Sequence, residues 1–415
     1  MSRTDQISST DRRARSSYGY VVVAASFVVQ ATIVGAIFSY SVFFDALHAE
    51  FGWSRAVISG AASVTALVMG VWAMVLGNLN DRVGPRLILS LAAVCISAGY
   101  LLMSMIGAPW QLYLAYAMFV GLAFGSHDVL TLSTVARWFD RRRGQMSGIV
   151  KTGTSTGQVL VPSAVAFLIA AYGWRSAFVW IAAITGPLVL TAAQFIRAPS
   201  TDEHRRNAEA DGRQRQVHDE SGSAPMRTPA FRWIVAGHLA VFFCMPTIIV
   251  HIVPYATDMG ISREVAAGVL STIGAVGAAG RLVTGALIDR LGSRRALRFC
   301  YAIMLLSFVM LQFASTPVLV YAFAVVYGFA HGGSFTAVSP LIAEFFGTRT
   351  HGKLFGTVVF IGTISGALGP VIAGGVFDLI GTYRPVFLLL ILLLAFAVYA
   401  LTRLSVHEPW RSRTY

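Results

Sequence analysis

Long apolar runs separated by short polar segments account for most of the chain. Twelve such runs lie at 20–44, 55–77, 86–107, 110–136, 145–170, 176–196, 232–256, 265–288, 296–314, 317–343, 353–377 and 385–403. A helix rises 1.5 Å per residue, so about 20 apolar residues cross a hydrocarbon layer about 30 Å thick. The pattern therefore predicts an all-α membrane protein with twelve transmembrane helices.

The polar segments divide these runs into two sets of six. The predicted domains are a polar lead at 1–18, a six-helix bundle at 19–196, a linker at 197–230, a second six-helix bundle at 231–404 and a tail at 405–415. The linker is rich in charged residues, Ser, Gln and Gly and has no apolar period, which is typical of a solvated connection.

The basic residues predict how the chain is oriented. With the amino terminus inside, nearly all of the 32 Lys and Arg residues fall on the cytoplasmic side. The exceptions are Arg55, Arg175, Arg263 and Arg384 outside, and Lys151 and Arg281 within the apolar runs. This bias satisfies the positive-inside rule. The lead, the linker and the tail are therefore predicted to be cytoplasmic, and the excess of arginine over lysine favours a bacterial inner membrane.

Composition and motifs exclude several classes of protein. The chain is 56% hydrophobic and only 12% charged, against roughly a quarter charged in soluble domains. The net charge is +13, but the basic residues lie between apolar segments and not on one amphipathic face. We therefore expect no nucleic-acid partner. The three cysteines lack metal-ligand spacing, and neither a phosphate-binding loop nor a catalytic constellation is present. We therefore expect no cofactor, no metal and no enzymatic activity.

One charged turn occurs twice in the sequence. The turn after the second run contains Gly77, Asp81, Arg82, Gly84 and Arg86, and the turn after the eighth run contains Gly285, Asp289, Arg290, Gly292 and Arg294. The offset is the same for all five pairs. The chain therefore reads as two copies of one six-helix unit.

This duplicated arrangement resembles the major facilitator superfamily. The resemblance implies two six-helix bundles related by a pseudo-two-fold axis, with substrate bound near the midplane between halves that rock alternately. It also implies that the charged turns latch the cytoplasmic side in one conformation. The residues expected to form this latch are Asp81, Arg82, Asp289, Arg290, Arg141 and Arg142.

A finer resemblance lies at the start of the fifth run. Residues 138–157, WFDRRRGQMSGIVKTGTSTG, look like the signature of the monocarboxylate transporters, and residues 246–262 look like a segment of their bacterial members and of oxalate/formate antiporters. Arg281 falls where those families place a substrate-binding arginine. Gly277 replaces the family's aspartate one turn earlier, and only Tyr18, Gly19 and Tyr20 precede the first helix, where an acid is expected.

These departures bear on mechanism and substrate. The two missing acids weaken a direct transfer of the family's proton mechanism. The second lysine of the oxalate carriers has no counterpart between Phe355 and Gly369, which argues against a dianionic substrate.

Three charged residues lie deep within the apolar runs. Asp128, Lys151 and Arg281 are each eight or nine residues from a charged boundary, which is about 12 to 14 Å into the membrane at the helical rise. Their counterparts at the repeat offset are Thr336, Val359 and Ala73. The charges are therefore not part of the repeated frame, as expected of a binding site that exists once.

The charges suggest a stoichiometry. Arg281 and Lys151 supply two positive charges and Asp128 removes one, leaving one positive charge for one carboxylate. Arg281 is predicted to bind the substrate, because a guanidinium pairs with a carboxylate through two hydrogen bonds. Protonation of Asp128 would couple anion entry to a proton. The alternative is that Asp128 and Lys151 form a fixed ion pair between two helices.

Other side chains are weaker candidates. Histidine is the side chain that ordinarily titrates near neutral pH, so His127 and His331 are candidates to help carry a proton, although a lone helix histidine more often serves packing. His331 is also a candidate for the substrate site. By analogy with the family, the aromatic residues Tyr40, Tyr255, Tyr327 and Phe360 could line that site. Ordinary helix packing is an equal explanation for each of them.

The predicted function is secondary active transport of a small organic monoanion, such as lactate or pyruvate, together with a proton, by a monomer in the lipid bilayer. An anion exchanger and a carrier of a neutral nutrient or drug remain alternatives. A receptor built on a carrier scaffold would need a signalling domain, and the 197–230 linker and the tail are too short and polar to supply one.

Overall fold

The computed structural model describes residues 3–139, 142–199 and 225–404. Its α-helices are α1 Arg3–Phe38, α2 Phe44–Phe51, α3 Arg55–Val83, α4 Pro85–Ser104, α5 Pro109–Tyr113, α6 Gly121–Trp138, α7 Arg143–Phe195, α8 Pro229–Asp258, α9 Arg263–Leu291, α10 Ser293–Gln312, α11 Pro317–Phe346, α12 His351–Ile380 and α13 Arg384–Thr402. Short 3₁₀ segments occupy Ser39–Phe43 and Pro225–Arg227, and a π-helical segment, Leu114–Val120, joins α5 to α6. No strand occurs in these ranges.

The helices account for the twelve predicted spans. Over the described ranges, 11 helical segments are long and apolar enough to cross a membrane. One of these, α7, contains two helices, because Gly173 interrupts it with φ 80° and ψ 161°. Glycine reaches such a positive φ without the steric cost that a Cβ imposes. The prediction of an all-α membrane fold with twelve spans is confirmed.

The chain divides into two compact units, Met1–Ala198 and Pro199–Tyr415. In the first unit α1 packs along α7, α3 packs on α6, and α4 packs on α7. In the second unit α8 packs on α12, α9 on α11, and α10 on α11. Each unit therefore has its own helical core. Most of the predicted linker, 200–224, and the predicted tail, 405–415, lie outside the described residues.

Apolar side chains cover much of the outer surface of both units. Leu87 is 64% exposed, Phe167 69% and Val371 73%, whereas the polar side chains of Gln30 and Thr284 are fully buried. A water-soluble protein shows the opposite distribution, because exposed apolar area is unfavourable in water. The surface therefore suits hydrocarbon, which requires helices whose backbone hydrogen bonds are satisfied internally.

The two units repeat each other in detail. The Tyr113 hydroxyl donates to the carbonyl of Val57 at 2.9 Å, and Tyr321 donates to Val265 at 2.7 Å. The glycines that end the second span of each unit, Gly84 and Gly292, have φ values of 86° and 84°. These pairs keep the offset of the charged turns, so the sequence repeat corresponds to a structural repeat.

Candidate functional site

A buried ion pair occupies the middle of the first unit. Lys151 Nζ on α7 donates to both carboxylate oxygens of Asp128 on α6, at 2.8 and 3.0 Å. The Lys151 side chain is 4% exposed and that of Asp128 is 20% exposed. The structure thus joins two of the three predicted membrane charges. A carboxylate and an ammonium at this depth lower each other's desolvation cost by pairing.

Gln30 on α1 belongs to the same cluster. Its amide nitrogen donates to Asp128 Oδ1 at 2.8 Å and to Thr131 Oγ1 at 2.9 Å. Gln30 is 0% exposed, and its Oε1 atom has no hydrogen-bond partner among the described residues. Gln30 and Thr131 are not among the residues predicted from the sequence, although a glutamine inside the first apolar run is a signal that points to Gln30.

His127 also faces the carboxylate. Its Nδ1 atom contacts the carbonyl oxygen of Phe124, so this nitrogen carries the hydrogen. The other ring nitrogen, Nε2, lies 3.8 Å from Asp128 Oδ1. Neighbouring residues diverge by about 100° around a helix, yet the ring of His127 turns back toward the acid. A proton on Nε2 would give Asp128 a second positive neighbour beside Lys151.

Glycines on α7 bring these side chains within reach of each other. A Cβ at Gly153 would collide with the carbonyl of Phe27, and one at Gly157 with the carbonyl of Ala31. Both contacts are with α1. Small residues let membrane helices approach to backbone contact, and this approach places Gln30 beside the ion pair.

Arg281 lies on α9 in the second unit and is 5% exposed. Its Nη1 atom lies 3.4 Å from the position that a Cβ on Gly277 would take. Glycines again bring two helices together here, because a Cβ on Gly332 of α11 would collide with the Gly277 carbonyl. The position where the related families carry an aspartate therefore lies against the guanidinium, and the glycine leaves that space without a side chain.

Tyr327 and His331 form a second polar pair in this unit. The Tyr327 hydroxyl lies 3.3 Å from the carbonyl oxygen of Met245 and 3.1 Å from Nδ1 of His331. Tyr327 is fully buried, and the ring of His331 packs on Phe335. Both are predicted site residues, and Tyr327 also stacks on Phe308 of α10 with ring centroids 5.8 Å apart.

The other aromatic candidates engage their own units. Tyr40 donates to the carbonyl of Ile58 at 2.7 Å and stacks on Tyr116. Tyr255 donates to the carbonyl of Ala314 at 3.0 Å. Phe360 is half-buried on α12. The hydroxyls of Tyr40 and Tyr255 therefore already have backbone acceptors.

The two charged turns are held differently. Asp81 on α3 forms an ion pair with Arg137 at the end of α6, and both side chains are 10% exposed. Asp289, Arg290 and Arg82 are exposed. Arg142 donates to the Tyr20 hydroxyl at 3.3 Å, while Arg141 lies outside the described residues. Arg137 is a member of this turn that the sequence analysis missed.

In the second unit a carboxylate caps the helix that follows the charged turn. Glu344 on α11 accepts from the backbone N–H of Ser293 at 2.8 Å, at the first residue of α10. A carboxylate at a helix amino terminus satisfies a free N–H group and opposes the helix dipole favourably. Glu344 is also missing from the sequence analysis, because its target is a backbone group that no sequence motif marks.

The described residues contain no group of three or more His, Cys, Asp or Glu that could hold a metal ion. Cys95, Cys244 and Cys300 are free thiols.

Comparisons with known proteins agree with this architecture. A sequence profile of the Major Facilitator Superfamily matches residues 26–313 and 277–415. Mouse "Monocarboxylate transporter 12" is 24% identical over 407 residues, covering 90% of this chain and 82% of the relative. The Escherichia coli "Uncharacterized MFS-type transporter YhjX" is 25% identical over 345 residues, covering 81% and 82%.

Solved structures share the fold. The human organic anion transporter MFSD10 superposes with a TM-score of 0.74 at 16% identity, covering 92% of this chain and 99% of that one. The profile spans nearly the whole chain, and the helices, the repeat and the apolar surface all fit it. The chain is a multi-pass membrane protein that belongs to the major facilitator superfamily of transporters.

Proposed function

We propose that this protein is a proton-coupled secondary transporter of a small organic monoanion, a monocarboxylate such as lactate or pyruvate, and that it works by alternating access. The observation that carries the proposal is the placement of charge. Arg281 is buried at a position where the first unit has Ala73, while the other buried cation, Lys151, is paired with Asp128. Among the three predicted membrane charges, Arg281 is thus the positive charge that lies outside that pair.

Arg281 has the role of carboxylate ligand. A guanidinium stays charged at every physiological pH and matches a carboxylate with two parallel N–H donors. In a dry interior such a pair is far stronger than in water. The monocarboxylate transporter name of the mouse relative supports the same substrate class.

Asp128 has the role of proton carrier. While it is ionised, its charge and that of Lys151 cancel. A proton on Asp128 leaves Lys151 as an uncompensated cation, which favours entry of an anion into the spans. Anion and proton then move together, with His127 and His331 as candidate partners in proton transfer.

The setting of the protein is part of the proposal. The basic loops support an inner-membrane protein with both termini in the cytoplasm. Its partners are the lipid bilayer, the organic anion and the proton, and it works as a monomer.

Anion exchange is the second candidate function. The two short hydrogen bonds from Lys151 to Asp128 also suit a pair that never separates. In that case one anion would leave Arg281 as another anion binds there on the opposite side of the membrane. No proton would be needed. A carrier of a neutral nutrient or drug would require Arg281 to be purely structural.

Uptake by reconstituted protein separates these functions. Liposomes containing the parent protein receive labelled lactate, pyruvate and a panel of other monocarboxylates, with and without an inward proton gradient. We expect uptake that the gradient accelerates. Asp128→Asn should abolish the effect of the gradient, and Arg403→Ala, which removes an exposed arginine at the end of α13, should behave as the parent.

Two other results would redirect the proposal. An uptake rate that does not depend on the proton gradient, but rises when anion is loaded inside the liposomes, would identify an exchanger. Absence of uptake for every acid, or acid uptake that survives Arg281→Ala, would contradict the anion site and favour a neutral substrate.

A further inference from the structure

Gln30 is a buried amide that is bonded on one side only. Its nitrogen donates to Asp128 Oδ1 and to Thr131 Oγ1. Its oxygen, Oε1, is buried and has no hydrogen-bond partner among the described residues. An unsatisfied buried carbonyl is costly. The orientation of this amide is therefore set by the acceptors around its nitrogen, which are Asp128 Oδ1, Thr131 Oγ1 and the carbonyl oxygen of His127 at 3.4 Å, and not by any donor around the oxygen.

An ionised carboxylate can only accept hydrogen bonds, so it requires the amide nitrogen to face it. A protonated carboxyl group has an O–H to donate and requires an acceptor instead. Rotation of the Gln30 amide by half a turn about its last side-chain bond exchanges nitrogen and oxygen. That torsion is broad and two-fold. The rotation breaks no hydrogen bond of Oε1, because none of the described residues bonds that atom.

We propose that Gln30 is a positioning residue that sets the pH at which Asp128 takes up its proton. Its N–H stabilises the ionised carboxylate beside Lys151, and its rotated carbonyl accepts the carboxyl hydrogen after protonation. This inference rests on the proton-coupled function proposed above, and it adds to that function a residue that tunes the proton carrier.

The charge balance of the step is simple. A proton from water binds the Asp128 carboxylate, which becomes neutral, and the charge of the pair with Lys151 rises from zero to plus one. The Lys151 ammonium then remains charged beside a neutral carboxyl group. Gln30 itself stays neutral in both states, so it favours one state or the other by hydrogen bonding alone.

Other groups around Asp128 also influence the step. Lys151 faces it from α7, and His127 faces it from α6 at 3.8 Å. From α3, Asn80 bonds Ser133 on α6 at 3.1 Å and carries no charge. Asp81 on α3 pairs with Arg137 at the end of α6. His127 is thus the other titratable neighbour whose contribution must be separated from that of Gln30.

Infrared difference spectroscopy of the purified protein reads the carboxyl group directly. The carbonyl stretch of protonated Asp128 is identified by its loss in Asp128→Asn and is followed against pH without substrate. In Gln30→Met, which keeps the length but removes the amide, we expect the midpoint to move upward by up to about one pH unit, because the bond to the charged carboxylate is stronger than the bond to the neutral carboxyl group. Gln30→Asn, too short to reach, should move it in the same direction.

Asn80→Leu is the matched control. It removes another buried amide whose oxygen lacks a partner, in the same unit, without touching Asp128. Its midpoint should equal that of the parent, and His127→Phe reports the histidine's share. A midpoint in both Gln30 variants that stays at the parent value or falls would overturn the inference.

Transport separates this inference from the proposed function. If the parent shows gradient-driven uptake, Gln30→Met should shift the pH profile of uptake in the same direction as the infrared midpoint. Parent protein that lacks proton-coupled uptake would defeat the proposed function, while the infrared result would still decide whether Gln30 controls Asp128.

Discussion

The two units share a frame but distribute their polar residues differently. Ser54 and Ser262 both cap the second span of their unit by accepting from a backbone N–H three residues later. The first unit, however, contains an acid and a base in its polar cluster, and the corresponding second-unit positions contain no Asp, Glu, Lys or Arg. The pairs are Gln30 with His238, His127 with Phe335, Asp128 with Thr336 and Lys151 with Val359.

The reverse holds for the arginine. Arg281 of the second unit corresponds to Ala73 of the first, which is also buried. One unit therefore contains a matched acid and base, and the other contains a cation on a glycine-lined helix contact. The comparison teaches that the repeat carries the helical frame and its charged turns, whereas the buried charges belong to one unit each. The packing glycines beside those charges are also unit-specific, because Gly153 corresponds to Ile361 and Gly277 to Met69.

Making position 281 resemble position 73 should have the largest effect. Arg281→Ala removes the proposed carboxylate ligand and is expected to lower monocarboxylate uptake by about a hundredfold or more, since losing one member of a buried charge pair costs several kcal/mol. Arg281→Lys keeps the charge without the fork of donors and should recover part of the rate. Initial rates in proteoliposomes measure both. Equal rates for the parent and the alanine variant would make this arginine structural.

Copying the second unit into the Asp128–Lys151 pair sharpens the comparison. Lys151→Val alone leaves a buried carboxylate without its cation, and we expect it to destabilise the protein by about 3 kcal/mol. The double variant Asp128→Thr with Lys151→Val reproduces the second-unit pair and should regain most of the lost stability. Thermal unfolding in detergent measures all three proteins.

The double variant should nevertheless lack proton coupling. A double variant that stays as unstable as Lys151→Val would mean that the instability does not come from leaving Asp128 without a cation. The polar cluster itself would then be needed for the packing of α1, α6 and α7. Retained coupling would remove Asp128 from the proton pathway.

A smaller effect is expected at the charged turns. Arg137→Phe introduces the residue found at the corresponding position, Phe345, and deprives Asp81 of its cation. The expected loss is about 2 kcal/mol in unfolding, the size of a charge-assisted hydrogen bond. Asp81→Asn combined with Arg137→Phe should recover part of it.

Glu344→Ala tests the other turn and should lower the free energy of unfolding by about 1 kcal/mol, typical of a lost helix cap.

The smallest effect concerns the opposite end of the first unit. A hydrogen bond from Arg175 and a second from Trp174 hold the pKa of Glu50 below its ordinary value of 4.5. A lowered folded-state pKa means that the stabilisation is present above pH 4.5 and is lost as the pH falls through the folded-state value. Melting temperatures are measured from about pH 6 down to about pH 3, the interval in which a glutamate titrates. They should decline slightly more steeply for the parent than for Glu50→Gln. Parallel curves would mean that this exposed pair contributes nothing.

The fold was largely predictable from the sequence because its signals are local. Apolar length alone predicts each span, and Gly84 and Gly292 mark turns whose positive φ requires glycine. The predicted depth of Asp128 and Lys151 rests on counting residues along a helix. Their depths did not show whether the two side chains meet, because that depends on how α6 and α7 are rotated about their axes.

By itself, the sequence determined the spans, the repeat, the orientation bias and the positions of the three membrane charges, since hydropathy and helical rise act along the chain. Only the tertiary structure decided that Lys151 bonds both oxygens of Asp128, that Gln30 donates to the same carboxylate, and that Arg137 pairs with Asp81. These contacts join residues far apart in sequence. They depend on backbone contacts such as that of Gly153 with α1, which fix the rotation and spacing of neighbouring helices.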